Sequence, residues 1–285
     1  MTLTGRLFDS RRGYRLFQAV KYATYLALCF NVYLFLREEL LSLEHTFTNG
    51  LALGEVVQVF AATIDTAAWV ILLLLFELET WVLDDAQIRG WTRRALHWTR
   101  LLCGAAIVYA FTGYVAELAT LLDATVLEGF DACRRVSEPW SVLDKLDEYS
   151  PLTAANCATL GGAPLQINGF QILADAAVLQ QARWLAWTDV INAGAWILVV
   201  ILLEVEVRLQ LRGDLSDHIM RINKFLKFGV YGVLFLAAAY WGYAGDFLDF
   251  WDAFLWLFAF IFIELNVFDW QKETTHGSPT AGSAL

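Results

Sequence analysis

Residues 69–80 read WVILLLLFELET. Seven apolar residues follow Trp69, and Glu77 and Glu79 then stand two positions apart. A helix this apolar is suited to lipid, where a charge is costly unless it reaches an interface or a partner. The fold therefore turns on where these two carboxylates go. The pattern recurs in WILVVILLEVEV, residues 196–207, and in WLFAFIFIELNV, residues 256–267. In each, a glutamate follows the Trp by eight residues: Glu77, Glu204 and Glu264. Two residues further on stand Glu79, Glu206 and Asn266, and four before each Trp stand Asp65, Asn192 and Asp252.

The rest of the chain agrees with a membrane class. It is 58% hydrophobic, with mean hydropathy +0.50 and 15% aromatic residues, well above the roughly 45–50% apolar share of a soluble domain. A span needs about 20 mostly apolar residues. Six segments qualify, at 16–36, 54–83, 95–122, 182–210, 222–244 and 247–270. All four prolines fall outside them, so no proline kink is expected. Arg6, Arg11, Arg12 and Arg15 precede the first apolar run as in a signal peptide. No small-x-small cleavage site follows, which predicts an uncleaved first span.

Charge sets the expected orientation. With the N-terminus inside, the inner ends and loops carry fifteen of the twenty Lys and Arg residues, while eighteen of the thirty acidic residues lie outside. That asymmetry predicts six spans with both termini cytoplasmic. With no N-x-S/T sequon in the chain, the expected location is a bacterial inner membrane. Segment 123–181 becomes a long extracytoplasmic loop. Its VLDKLDEY and ILADAAVLQQARWLAW stretches have helical spacing, predicting a partly helical cap that flows into the fourth span. Cys133 and Cys157 share this loop, and a disulfide is expected there. Cys29 and Cys103 read as apolar fillers within spans. The tail 274–285 is small and polar, and disorder is expected.

The odd spans carry a second recurring mark. Arg15 and Lys21, Arg94 and Arg100, and Arg221 and Lys227 are each six residues apart at the start of a span. Two marks recurring in order predict three duplicated two-helix hairpins, 11–86, 90–212 and 217–271, within one all-α membrane domain. The plan is similar to that of the mitochondrial carriers, also built from three hairpins. Those carriers place prolines on their odd helices, whereas here these helices have none, and no family is identified.

Two candidate sites follow. At the inner end, Lys21, Glu77, Glu79, Arg100, Glu204, Glu206, Lys227, Glu264 and Asn266 form a candidate intramembrane charge cluster. The expected pairs are Lys21–Glu77, Arg100–Glu204 and Lys227–Glu264. Residues two apart on a helix differ by about 200°, so one glutamate of each pair should serve its own hairpin and the other a neighbour. At the outer end, Asp65, Glu117, Asp189, Asp246, Asp249 and Asp252 form a candidate acidic mouth, with Asp123 at similar depth. Such a cluster concentrates cations, and it equally describes a solvated rim.

Much else is excluded. His45, His97, His218 and His276 do not share one depth, against a bis-His haem. No CxxC, HExxH, GxSxG, P-loop or GxGxxG occurs, so no metal or cofactor is expected. A net charge of −10 without a basic patch argues against nucleic acid. The sequence thus predicts a non-enzymatic multi-pass protein, a subunit or scaffold that meets the bilayer and a membrane-protein partner or a second copy. The alternative is a cation or proton channel or transporter using the outer mouth and the inner ring. A polar route between the two clusters would favour transport; a dry bundle would favour the scaffold.

Overall fold

The computed structural model describes residues 11–46, 55–83, 89–212 and 217–260. Its long helices are α1 (Arg11–Thr46), α2 (Ala61–Glu77), α3 (Trp91–Leu122), α4 (Ala176–Arg212) and α5 (Asp217–Ala244). A sixth, α6, runs over 247–260. One helical turn, Val56–Val59, precedes α2, and a π-helical turn, Leu78–Val82, follows it. Among the described residues, five helices are long and apolar enough to cross a membrane, consistent with a multi-pass membrane protein. The rest of the sixth expected span, with Glu264, Asn266 and the tail 274–285, lies outside the described residues.

Between α3 and α4 the chain is not the helical cap that spacing predicts. It forms five strands: β1 (Ala124–Val126), β2 (Ser141–Lys145), β3 (Glu148–Pro151), β4 (Leu165–Ile167) and β5 (Ile172–Ala174). Their order is β1-β4-β5-β2-β3, antiparallel except for β2 beside β5. The apolar residues of VLDKLDEY do sit at helical intervals. However, Leu146 and Asp147 form a two-residue hairpin turn, and Asp147 adopts φ 62. A carboxylate tolerates that left-handed conformation better than most side chains. The competing signal is long-range, because β2 pairs with β5 in register Ser141↔Ile172 and Val142↔Leu173. The expected continuity does occur at the other end, where α4 starts at Ala176 and runs unbroken to Arg212.

Burial joins this sheet to the bundle. Leu143, Leu146, Ile167 and Ile172 pack with Leu118 and Leu121 of α3, Leu179 and Leu185 of α4, and Trp241 of α5. Each large apolar side chain removed from water in this way contributes about 1.5–3 kcal/mol. Polar clamps fix the orientation. His45 Nδ1 lies 3.0 Å from Ser141 Oγ, and Lys145 Nζ donates to the Gly245 carbonyl at 3.2 Å. Arg183 Nε donates to the Leu121 carbonyl at 2.9 Å, satisfying an orphan group at the end of α3. The Cys133–Cys157 disulfide staples the two 3₁₀ turns, Ala132–Arg135 and Cys157–Leu160, with Cα atoms 5.0 Å apart. The α5–α6 connection is tight. Gly245 takes φ 77, the Asp246 N–H donates to the Trp241 carbonyl, and the Asp246 carbonyl accepts the Phe250 N–H. Only glycine adopts that φ without steric cost.

Deeper in the bundle, Tyr25, Leu28, Leu73, Val199, Leu234 and Ala259 form a second core with Trp196 and Trp256. Trp69, Trp196 and Trp256 meet there: ring centroids are 5.9, 6.3 and 6.5 Å apart for the pairs 69–196, 69–256 and 196–256. Tilted and edge-on contacts at this range are favourable aromatic geometry.

Candidate functional site

The helices deliver carboxylates to the sheet end of the bundle. Asp65 comes from α2, Glu117 from α3 and Asp189 from α4. Asp249 and Asp252 come from α6, and Asp246 from the turn before it. These are the six acidic residues expected at the outer mouth, and together they line two adjoining cavities of about 40 and 30 Å³. Asp189, Asp249 and Tyr114 border both cavities. Each is large enough to hold water. The acids thus line an internal chamber rather than a solvated rim. Asp123 lies outside it, accepting from Asn168 Nδ2 at 2.6 Å.

The structure adds three acids that sequence spacing does not place there. Glu38 and Glu39 come from the last third of α1, and Asp147 enters from the tip of the β2–β3 hairpin. Glu39 is held by the start of α2. Its Oε1 accepts from the Ala62 and Thr63 N–H groups at 2.8 and 3.1 Å, and Oε2 accepts from the Thr63 hydroxyl. It caps the N-terminus of α2, where free N–H groups and the helix dipole favour an anion. The adjacent glutamates of α1 were the available signal. Asp147 had none, because its strand pairing is long-range.

Neutral donors hold four of the chamber acids, Glu39, Asp65, Asp189 and Asp252. Asn31 Nδ2 donates to Asp252 Oδ1 at 2.7 Å, and Trp241 Nε1 donates to Asp189 Oδ1 at 3.1 Å. Asp65 and Asp252 also accept from the indole N–H four residues on, Trp69 and Trp256. This gives the D-x3-W spacing a physical meaning: one helical turn places the acid against the indole donor. Asn192 occupies the matching place before Trp196, and its buried Oδ1 has no partner among the described residues. An ammonium also approaches, with Lys145 Nζ 3.2 Å from Asp246.

Two contacts join acid to acid. Asp147 hydrogen-bonds Glu117, and Asp249 hydrogen-bonds Asp246. A carboxylate only accepts, so each such bond requires a proton on one partner. At Asp147, burial pushes the carboxyl up to about 6. Asp246 and Glu148 add to the rise, and Lys145 opposes it. Among the described residues no three acidic, His or Cys side chains are arranged to hold a metal ion.

The opposite end carries the other candidate cluster. Lys21 is fully buried and donates to Glu77 at 2.5 Å. Tyr22 Oη also donates to Glu77, at 3.2 Å, and the Lys21 ammonium lies 4.9 Å from the Tyr22 ring. Glu79 pairs instead with Arg100 of the next helix, and Glu206 with Lys227. The E-x-E spacing therefore divides as 200° geometry requires, one acid facing α1 and the other α3. Glu204 does not meet Arg100; it pairs with Arg208 one turn away, at 2.7 Å and largely exposed. Glu264 and Asn266 lie outside the described residues.

Between the two ends lie the three tryptophans and the apolar core around them. No family model matches this chain, and no curated protein or solved structure matches it.

Proposed function

We propose that this chain is a proton-coupled transport protein of a bacterial inner membrane. Its sheet faces outward, both termini are cytoplasmic, and the bundle is closed toward the cytoplasm. The observation that carries this reading is the pair of acid–acid hydrogen bonds, Glu117–Asp147 and Asp246–Asp249, in a chamber bordered by further carboxylates. Such contacts share a proton and pass it on when a neighbour moves. The tryptophan layer supplies the barrier that separates the chamber from the Lys21 end, as alternating access demands. The reading takes the chain as six spans in three duplicated hairpins. Support comes from the meeting of Trp69, Trp196 and Trp256, and from Glu79–Arg100 and Glu206–Lys227, each closing over 21 residues.

The test is proton movement in proteoliposomes under an imposed pH gradient, read with a trapped pH dye. The parent protein should carry a flux above that of empty vesicles, Asp189→Asn should reduce it about tenfold, and Trp196→Ala should raise the leak. No protein-dependent flux with either sign of gradient would overturn the proposal.

A scaffold or subunit role is the second reading. It draws on the exposed apolar stripe of α5, where Phe225, Phe228, Phe235 and Tyr243 stand 63–89% exposed. Lipid covers such a stripe as well as a partner does, so it carries less weight.

A further inference from the structure

A much larger cavity lies beside the chamber. Its volume is about 700 Å³, within the range of about 300–1,000 Å³ usual for ligand sites. It opens between α1 and α6, above the point where Asn31 and Asp252 tie the two helices together. The walls at lipid depth are apolar: Phe30 and Leu34 from α1, Phe247 and Trp251 from α6. The sheet end is charged and mixed in sign. Arg37 stands there with Glu38, Asp144 and Glu148. Arg37 is exposed and has no ion pair among the described residues, although carboxylates share its cavity.

We infer that this groove binds a membrane phospholipid with a zwitterionic aminoalkyl-phosphate headgroup. Its acyl chain lies along Phe30, Leu34, Phe247 and Trp251, its phosphate sits on Arg37, and its ammonium meets Glu148 and Asp144. The argument is complementarity at both ends. A guanidinium suits a phosphate bidentately, and carboxylates beside it suit an N–H-bearing cation. Phosphatidylglycerol would satisfy Arg37 with the same phosphate, but its uncharged glycerol would leave the three carboxylates without a cation. The apolar walls face the bilayer, so the ligand arrives sideways. The inference rests on the helices spanning a bilayer, as proposed above, and not on proton transfer.

Trp251 is a built-in probe. The protein is placed in bilayers containing phosphatidylethanolamine or phosphatidylglycerol with brominated acyl chains, at equal mole fraction. The emission lost in Trp251→Phe defines the Trp251 signal. Brominated phosphatidylethanolamine should reach half-quenching of that signal at a mole fraction lower by about threefold. Arg37→Gln and Glu148→Gln should each erase the difference. Equal quenching by both lipids, or a preference that survives both substitutions, would overturn the inference. Total emission quenched with the Trp251 signal untouched would overturn the groove alone. No quenching of any emission would remove the membrane-spanning reading, and the groove with it.

Discussion

Asp147, at φ 62 in a hairpin turn, hydrogen-bonds Glu117 of α3 and so brings a carboxyl from the sheet into the helical bundle. Its folded-state pKa is about 6 against an ordinary value of 3.8, with burial as the main cause. A raised acid binds more protons folded than unfolded between those values. Stability should therefore fall as pH rises from about 4 to about 6, by about 3 kcal/mol for this group. Asp147→Asn keeps a residue tolerant of the left-handed turn and removes the titration. Its unfolding midpoint should change less across that pH window than the parent's. An equal slope in both proteins would assign the effect to other acids.

Lys21 and Glu77 form a buried pair, and the cost of breaking it should be correspondingly large. Glu77→Gln leaves a fully buried ammonium without its counter-charge, which costs about 3–5 kcal/mol in a desolvated site. Lys21→Gln in the same chain should recover part of that loss, with a coupling of about 1–3 kcal/mol. The matching cycle at Glu204 and Arg208, which are largely exposed, should give under about 1 kcal/mol. Denaturation of all variants in one detergent would compare them, and a Glu77–Lys21 coupling no larger than the surface pair's would contradict a buried bridge.

These two sites differ in how legible they were. Lys21–Glu77 could be read because helix length sets depth: both residues sit near the same end of adjacent helices, and a charge at that depth needs a partner. The split of Glu77 from Glu79 followed from 200° geometry alone. Glu204 departs from the expected pair with Arg100 because Arg208, one turn away on the same helix, competes for it. The six acids expected at one mouth do border adjoining cavities, but as the walls of an internal chamber, since exposure depends on packing that no spacing reveals. The sheet is illegible in the sequence for a sharper reason. Its strands are three to five residues long, and β2 finds its parallel neighbour about 30 positions away, so local periodicity favours helix wherever apolar residues fall at i and i+4.

The approach of α3 to the turn Val56–Val59 makes Gly113 a demanding position. A Cβ there would lie 2.1 Å from the Val57 carbonyl oxygen and 2.9 Å from Ala61 Cβ. Both obstacles are close to the backbone, so Gly113→Ala should push the elements apart and cost about 1–3 kcal/mol. Gly104, on the same helix, has open space where its Cβ would go. Gly104→Ala should be neutral or stabilise by up to about 1 kcal/mol through helix propensity. The unfolding temperature should fall for Gly113→Ala and hold or rise for Gly104→Ala, and a harmless Gly113→Ala would contradict the close approach.

Orientation is open to direct labelling. In a background lacking Cys29 and Cys103, Val126→Cys places a thiol on an exposed position of β1, and Arg93→Cys places one on an exposed turn of α3 at the other end. A membrane-impermeant maleimide added to intact cells should modify the first and spare the second. The reverse pattern would invert the protein in the membrane, and the chamber would then draw protons from the cytoplasm.

The Cys133–Cys157 disulfide should matter most for the sheet. It closes a segment with a sequence separation of 24, which the chain-entropy treatment values at about 3–3.5 kcal/mol. The residues it holds form a small core of their own, Ala132, Val142, Leu152, Leu160 and Leu173, too small to be stable unaided. The main apolar core, by contrast, ties β2, β4 and β5 to α3 and α4 without the disulfide. Replacing both cysteines with serine should therefore loosen the sheet before the helices. Hydrogen exchange should rise first over 124–174, with α2 around Glu77 unchanged. Proton flux, if the chamber carries it, should fall as well, because Asp147 reaches Glu117 only while the β2–β3 hairpin is docked. Uniform loss of protection in sheet and helices would mean that the two unfold as one unit. Unchanged exchange over 132–160 would mean that packing against α3 and α4 holds the sheet without its staple.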